Sequence, residues 1–155
     1  MIGEDISWHQ RLLWKLLKMI KLIEDLWYSQ RNLVSDDYEK ALQYISKIIP
    51  LKIHNVESGT KCWTWTIPEK WTANEAWIED LEANRLLDFK DHPLHLISYS
   101  LPINKVVSKN ELMEHLHTNQ KRPDAIPFEF KYYQKDWGFC IQHNKLKNFT
   151  KEKYK

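Results

Sequence analysis

Glycine is nearly absent, with three in 155 residues. That is too few for a phosphate-cradling loop, and no GxSxG nucleophile elbow occurs. Cysteine is scarcer still: Cys62 and Cys140 are the two. They lie far apart in strand-like apolar runs, which excludes both a zinc knuckle and a disulfide framework. They read as buried thiols of a reducing compartment, and so predict a cytoplasmic protein. No apolar run approaches the roughly 18 residues of a membrane span, and the opening MIGEDIS is acidic where a secretory signal is basic. A soluble, unexported chain is expected. Charge of one sign is also missing, since 23 Lys and Arg stand against 21 Asp and Glu. A net +2 gives too weak a field to argue for nucleic acid, and no basic stripe alternates with aromatics. The surplus sits at Lys145, Lys147, Lys151, Lys153 and Lys155, which read as a solvated surface rather than a phosphate patch. There is no internal repeat, low-complexity tract or long linker.

What remains is enough for one domain, or a small domain with a helical piece, burying roughly 70% of its unfolded surface. Leu12, Leu13, Leu16, Leu17, Ile20, Ile23, Leu26 and Trp27 recur at three and four, with Arg11, Lys15, Lys18, Lys21, Glu24 and Asp25 between them. This spacing predicts an amphipathic helix from about Ser7 to Tyr28. Its basic face with Trp8 and Trp14 would also suit an anionic membrane, but packing on a core needs the same apolar stripe and is commoner, so membrane association is not expected. Ser35 is placed to cap a second helix, with Asp36, Asp37 and Glu39 in the first turn against its positive end. Tyr38, Ala41, Leu42, Ile45, Ile48 and Ile49 share its face up to Pro50.

After Pro50 the period changes to two. Leu51, Ile53 and Val56 predict one strand, and Ser58-Gly59 a turn. Cys62 to Ile67 predicts another strand, with Trp63 and Trp65 on one face. Residues 75–80 and 85–89 predict a hairpin about Glu82-Ala83-Asn84, with the asparagine tolerating a left-handed backbone. His92 to Ser100 predicts a further strand. Ser108-Lys-Asn-Glu111 has the form of a capping box opening a short helix that stops near Asn119. Strands at 128–133 and 139–142 follow, then a helical turn around Leu146 and Phe149. The stretches 126–140 and 91–100 carry the highest density of aromatic and β-branched residues and are expected to form the sheet core. The fold class is therefore α+β: two N-terminal helices, then a mainly antiparallel β module with one short helix.

Seven histidines and the carboxylates are the candidates for chemistry. His92 and His95 flank Pro93, which rules out the regular helix a helical zinc pair needs. His115 and His117, two apart on the expected helix, would point about 200° apart and could not chelate one ion. No catalytic, metal-binding or cofactor-binding residue is therefore assigned, and no cofactor is expected in this chain. Tyr132, Tyr133 and Trp137 could form a stacking platform for a sugar or peptide, although aromatics at this density also fill sheet cores. They are the candidate ligand-facing residues.

The segments SGTKCWTWTIPEKW from Ser58, DFKDHPLHLISYS from Asp88, ELMEHLHTNQKRPDAIPFEFKYY from Glu111 and DWGFCIQHNKL from Asp136 resemble a bacterial aminopeptidase-like family of uncharacterised proteins, distantly related to zinc exopeptidases. MIKLIEDLW from Met19 and RNLVSDDYEKALQYI from Arg31 resemble that family's opening helices. Met1 to Lys18 have no counterpart and read as an extension. The resemblance implies that residues 1–50 belong to an exopeptidase-like domain, 51–144 to an inserted β-rich module, and 145–155 to a tail leading to a further strand. The family's metal-binding motifs lie downstream of the segment matching Asn144 to Lys155, so zinc is implied only for a longer relative. Thr64 stands where many relatives have aspartate. The implied function is the N-terminal fragment of a zinc aminopeptidase-like protein, inactive by itself, with the β module as a lid or substrate-selecting wall. Its implied partner is a C-terminal exopeptidase domain, with self-association through the first helix where that domain is absent. A stand-alone binding module for carbohydrate or a protein is the competing expectation.

Overall fold

The computed structural model describes residues 7–155. The first helix, α1, spans Trp8–Leu26. Ser7 caps it with a reciprocal box, its hydroxyl accepting from the Gln10 amide (3.3 Å) while its own amide donates to Gln10 Oε1 (2.9 Å). α2 spans Asp36–Ser46, and Ser35 caps it as expected by accepting from the Tyr38 amide at 3.2 Å. It stops short of Pro50 because the residue before a proline disfavours helix. The chain unwinds first through three-residue bonds from Lys47 to Tyr44 and from Ile48 to Ile45.

The β region is more broken than its period suggests. Residues 51–56 form no strand, and Leu51, Ile53 and Val56 are exposed. The expected strand 62–67 is instead a hairpin of β1 (Lys61–Cys62) and β2 (Trp65–Thr66). The pairing of Cys62 with Trp65 leaves Trp63 and Thr64 as a two-residue loop, with Trp63 at a φ of 49° and wholly exposed. Trp63 and Trp65 therefore do not share a strand face, because the alternation that suggested one straddles a turn.

The hairpin of β3 (Trp77–Glu79) and β4 (Arg85–Asp88) forms where expected, with a register shift after Ile78. Its turn works differently. The left-handed residue is Ala83, at a φ of 64°, and Asn84 serves through its side chain. The buried Asp80 carboxylate accepts from Asn84 Nδ2 (2.9 Å), the Asn84 amide (2.8 Å) and the Glu82 amide (3.0 Å). Those donors, the Asn84 side chain foremost, hold the Asp80 carboxyl below the usual carboxylate range. A group whose folded value is depressed stabilises above its unfolded value, and that contribution is lost as pH falls through the folded one. Asp80→Asn should therefore lower the urea midpoint at neutral pH and flatten the loss of stability on acidification. Urea titrations at pH 7 and in acid would show both.

His92 to Ser100 is not a strand. Pro93 supplies no amide, and the side chains of Asp88 and His92 accept from the amides of Lys90 (2.8 Å) and Leu94 (3.1 Å), which winds Phe89–Asp91 and Pro93–His95 into two short 3-10 turns. The segment still meets the 126–140 stretch through bridges of Leu96 with Phe139 and Ser98 with Phe130. Phe130 is the sole bridge residue of the expected strand 128–133.

β5 (Val107–Ser108) leads into α3 (Lys109–Glu114). Ser108 accepts from the Glu111 amide at 3.2 Å, but the Glu111 carboxylate pairs with Lys105 (2.5 Å) instead of closing the box. The helix ends five residues early because Leu116–His117 becomes β6, parallel to β7 (Phe139–Cys140). Their contact admits no side chain at Gly138, whose added Cβ would lie 2.7 Å from Ile97 Cδ1 and 3.0 Å from the His115 carbonyl. His143–Asn148 forms a 3-10 turn.

The last strand, β8 (Lys153–Tyr154), pairs with β5, and Lys155 exchanges both backbone bonds with Glu79 at 2.8 and 2.9 Å. The chain's last three residues thus lie between β3 and β5. The tail lysines are exposed as expected, while Phe149 and Tyr154 among them are buried in the core with Ile78, Leu87, Val107, Leu112, Trp137, Phe139 and Ile141. The architecture is α+β, and β6 with β7 is the parallel pair among mainly antiparallel ones.

Candidate functional site

Aromatic side chains gather in two places, and the three candidates divide between them. Tyr132 and Tyr133 belong to one group, with ring centroids 6.4 Å apart. Tyr132 stacks on Phe130 (4.6 Å) and meets Tyr99 edge-on (5.0 Å); Tyr99 stacks on Trp71 (5.8 Å), and Phe130 touches Phe128 (6.1 Å). The result is a row of five rings, Trp71–Tyr99–Tyr132–Phe130–Phe128. Its outer end faces solvent: Phe128 is 62% exposed, Phe130 51% and Tyr133 62%. The Tyr133 hydroxyl donates to the Thr66 carbonyl and so ties the row to the β1–β2 hairpin.

Tyr99 anchors the row. It is buried and left-handed, with a φ of 67°, a conformation that costs a non-glycine residue on the order of 1 kcal/mol or more. Its hydroxyl accepts from the Val34 amide at 3.2 Å, and Trp71 donates its backbone amide to the Val34 carbonyl (3.0 Å) and its indole N–H to the Ser100 carbonyl (3.0 Å). These bonds fasten the loop before α2 to the β module and hold Tyr99 in place. Phe128 and Phe130 are members that the reading of the sequence missed. The signal was available, since Phe128, Phe130 and Tyr132 alternate in PFEFKYY as a half-exposed strand would.

Trp137 lies in the second place, in the core and 8% exposed. The His115 ring stacks on it at 3.8 Å, and Lys105 Nζ sits 5.7 Å from its centroid. Asp136 beside it bonds Lys131 (2.7 Å) and approaches His115 Nδ1 (3.4 Å). Lys131 foremost, then the Trp137 amide and His115, hold the Asp136 carboxyl below the usual range. Trp137 forms the floor of a groove of about 680 Å³, lined by Trp71, Ala73, Trp77, Leu101 and Ile103 among others. A smaller concavity of about 210 Å³ lies between the turn after α1 and the Pro93–His95 turn, with Phe128 and Glu129 on its rim.

His92 and His95 serve the backbone. His95 Nδ1 lies 2.8 Å from the Cys140 carbonyl and donates to it, while His92 Nδ1 accepts from the Leu94 amide. Burial, then His95, pushes the His92 imidazole below its usual value and keeps it neutral. His115 and His117 do not share a helix: the first ends α3 and the second lies on β6. Burial pushes the Cys140 thiol up to about 12, which makes it a packing group. Cys62 is half-buried, and both thiols are free. Among the described residues, no group of three or more His, Cys, Asp or Glu side chains is placed to hold a metal ion.

Residues 70–155 match the profile of a family described as "Domain of unknown function (DUF2172)". The chain belongs to that family. A DUF2172 chain thus carries the aromatic row and both concavities described above. It is similar to a Clostridium acetobutylicum protein named "Putative polysaccharide biosynthesis protein with aminopeptidase-like domain", 36% identical over 137 residues. It is also similar to a solved structure from that organism, "putative peptidase", with a TM-score of 0.82 and 36% identity. In each case 88% of this chain is covered, and the chain spans 32% of the relative's length.

Proposed function

We propose that this DUF2172 chain is the N-terminal portion of an aminopeptidase-like protein, and that its β module forms a lid or substrate-selecting wall. The observation that carries the reading is the match of 88% of the chain to one third of a relative named for such a domain. On this reading residues 1–50 pack with the hydrolytic part, 51–144 form the wall, and 145–155 lead onward. Any zinc ligands come from sequence outside this chain. The protein works in the cytoplasm, where its two thiols stay reduced; no helix among the described residues is long and apolar enough to cross a membrane. The wall presents the outer aromatic row, Tyr133 included, to the substrate, because large rigid rings give contact area at low entropic cost.

The test grafts this chain onto the remaining two thirds of the Clostridium relative and measures hydrolysis of aminoacyl substrates. Tyr133→Ala and Phe130→Ala should raise KM several-fold while leaving kcat near its starting value, the mark of lost binding common to ground and transition states. Unchanged KM for every substrate would remove the wall.

One observation favours a second reading, a stand-alone binding module: Phe128, Phe130 and Tyr133 are all more than half exposed among the described residues. Such a platform suits a sugar ring. Oligosaccharide binding by the chain alone, lost in Phe130→Ala, would support it over the wall.

A further inference from the structure

The turn after α1 closes against the Pro93–His95 turn and leaves the concavity of about 210 Å³. Its polar wall is bonded to itself. Ser98 Oγ donates to Asn32 Oδ1 (2.5 Å), Asn32 Nδ2 to Gln30 Oε1 (3.4 Å), and Gln30 Nε2 to the Pro93 carbonyl (2.9 Å). These groups fix the shape of the wall. Two charges are not used in this way. Among the described residues Glu129 makes no side-chain hydrogen bond or ion pair, and Arg31 bonds the Leu26 carbonyl and Ser29 hydroxyl through Nη1 and pairs with no carboxylate. Trp27, Leu94 and Leu96 add apolar surface to the same lining.

We infer that this concavity binds a free α-amino acid with an apolar side chain, its carboxylate on Arg31 and its ammonium on Glu129. A lone anion would face Glu129 and a lone cation would face Arg31. A neutral sugar would cover both charges and pair neither, at the cost of their desolvation. A zwitterion pairs both at once, and the guanidinium fork suits a carboxylate. The volume lies below the roughly 300–1,000 Å³ of ordinary ligand pockets, which favours one amino acid over a peptide. The site goes beyond the lid reading and does not depend on it, because every residue named belongs to this chain.

Calorimetry on the full chain tests the inference with L-leucine, leucinamide and N-acetyl-leucine. Arg31→Met and Glu129→Gln should each weaken leucine binding roughly tenfold or more, as expected for one charge-assisted bond. Arg31→Met should strengthen leucinamide binding and Glu129→Gln should strengthen N-acetyl-leucine binding, since each variant removes the like charge that the singly charged ligand faces. Both side chains are exposed, and an unaltered near-ultraviolet circular dichroism spectrum would confirm that the variants fold. The inference is overturned if leucine gives no binding heat up to its solubility, if each variant weakens all three ligands alike, or if glucose binds in leucine's place.

Discussion

Tyr154→Ala is expected to abolish the folded β module at room temperature. Tyr154 is wholly buried, its ring packs on Phe149 at 5.4 Å, and its hydroxyl accepts from the Lys151 amide at 2.7 Å. Truncating a buried aromatic to alanine costs about 3–5 kcal/mol, which removes the stability of a domain at the low end of the usual range of about 5–15 kcal/mol, where a module built of two- to four-residue strands belongs. Here the loss falls on a strand that joins two others, so β3 and β5 would lose their shared neighbour together. The near-ultraviolet tryptophan signal should vanish, and no cooperative melt should remain. Tyr154→Phe, which keeps the ring and orphans one amide, should lower stability by about 1–3 kcal/mol and stay folded. An alanine variant that melts near the wild-type temperature would show that the tail is not structural.

The second large effect concerns α1. No residue of the helix is buried, and Leu12, Leu13, Leu16, Leu17, Ile20 and Ile23 are all exposed along one broad arc. Its tie to α2 is polar, the Tyr44 hydroxyl donating to Asp25 at 2.5 Å. An apolar patch beyond a few hundred Å² on a lone chain drives association. Light scattering should therefore report a dimer, and the double variant Leu16→Asp, Ile20→Asp should halve the mass without altering the β module's tryptophan spectrum. A monomeric wild type with amides from Leu12 to Ile23 strongly protected from exchange would mean that the helix is satisfied within this chain.

The helices were legible in the sequence because their signals are local. Ser35 with three acids behind it and the three-four spacing after Ser7 each specify a helix without reference to distant residues. The β3–β4 hairpin was legible for the same reason. The rest of the sheet depends on which segments meet, and the period of two says nothing of that. Residues 51–56 alternate as a strand does yet find no partner, while Lys153–Tyr154, a lysine-rich stretch in sequence, becomes a strand between two others. Trp63 and Trp65 show a further ambiguity, in which two aromatics two apart suit a strand and a tight hairpin equally. The candidate site was half legible. Tyr132 lies in the aromatic row with Tyr133 beside it, whereas Trp137 is buried with its ring stacked on His115, a partner distant in sequence.

The proposed function has this chain supply the wall and opening helices of an aminopeptidase-like protein but not its hydrolytic centre. Its most direct test is hydrolysis of L-leucine p-nitroanilide in the presence of zinc, by the chain alone and by the chain grafted onto the rest of the Clostridium relative. The account predicts buffer-level release from the chain alone and turnover from the graft. Metal-dependent turnover by the purified chain alone, lost in His92→Ala or His95→Ala, would contradict it.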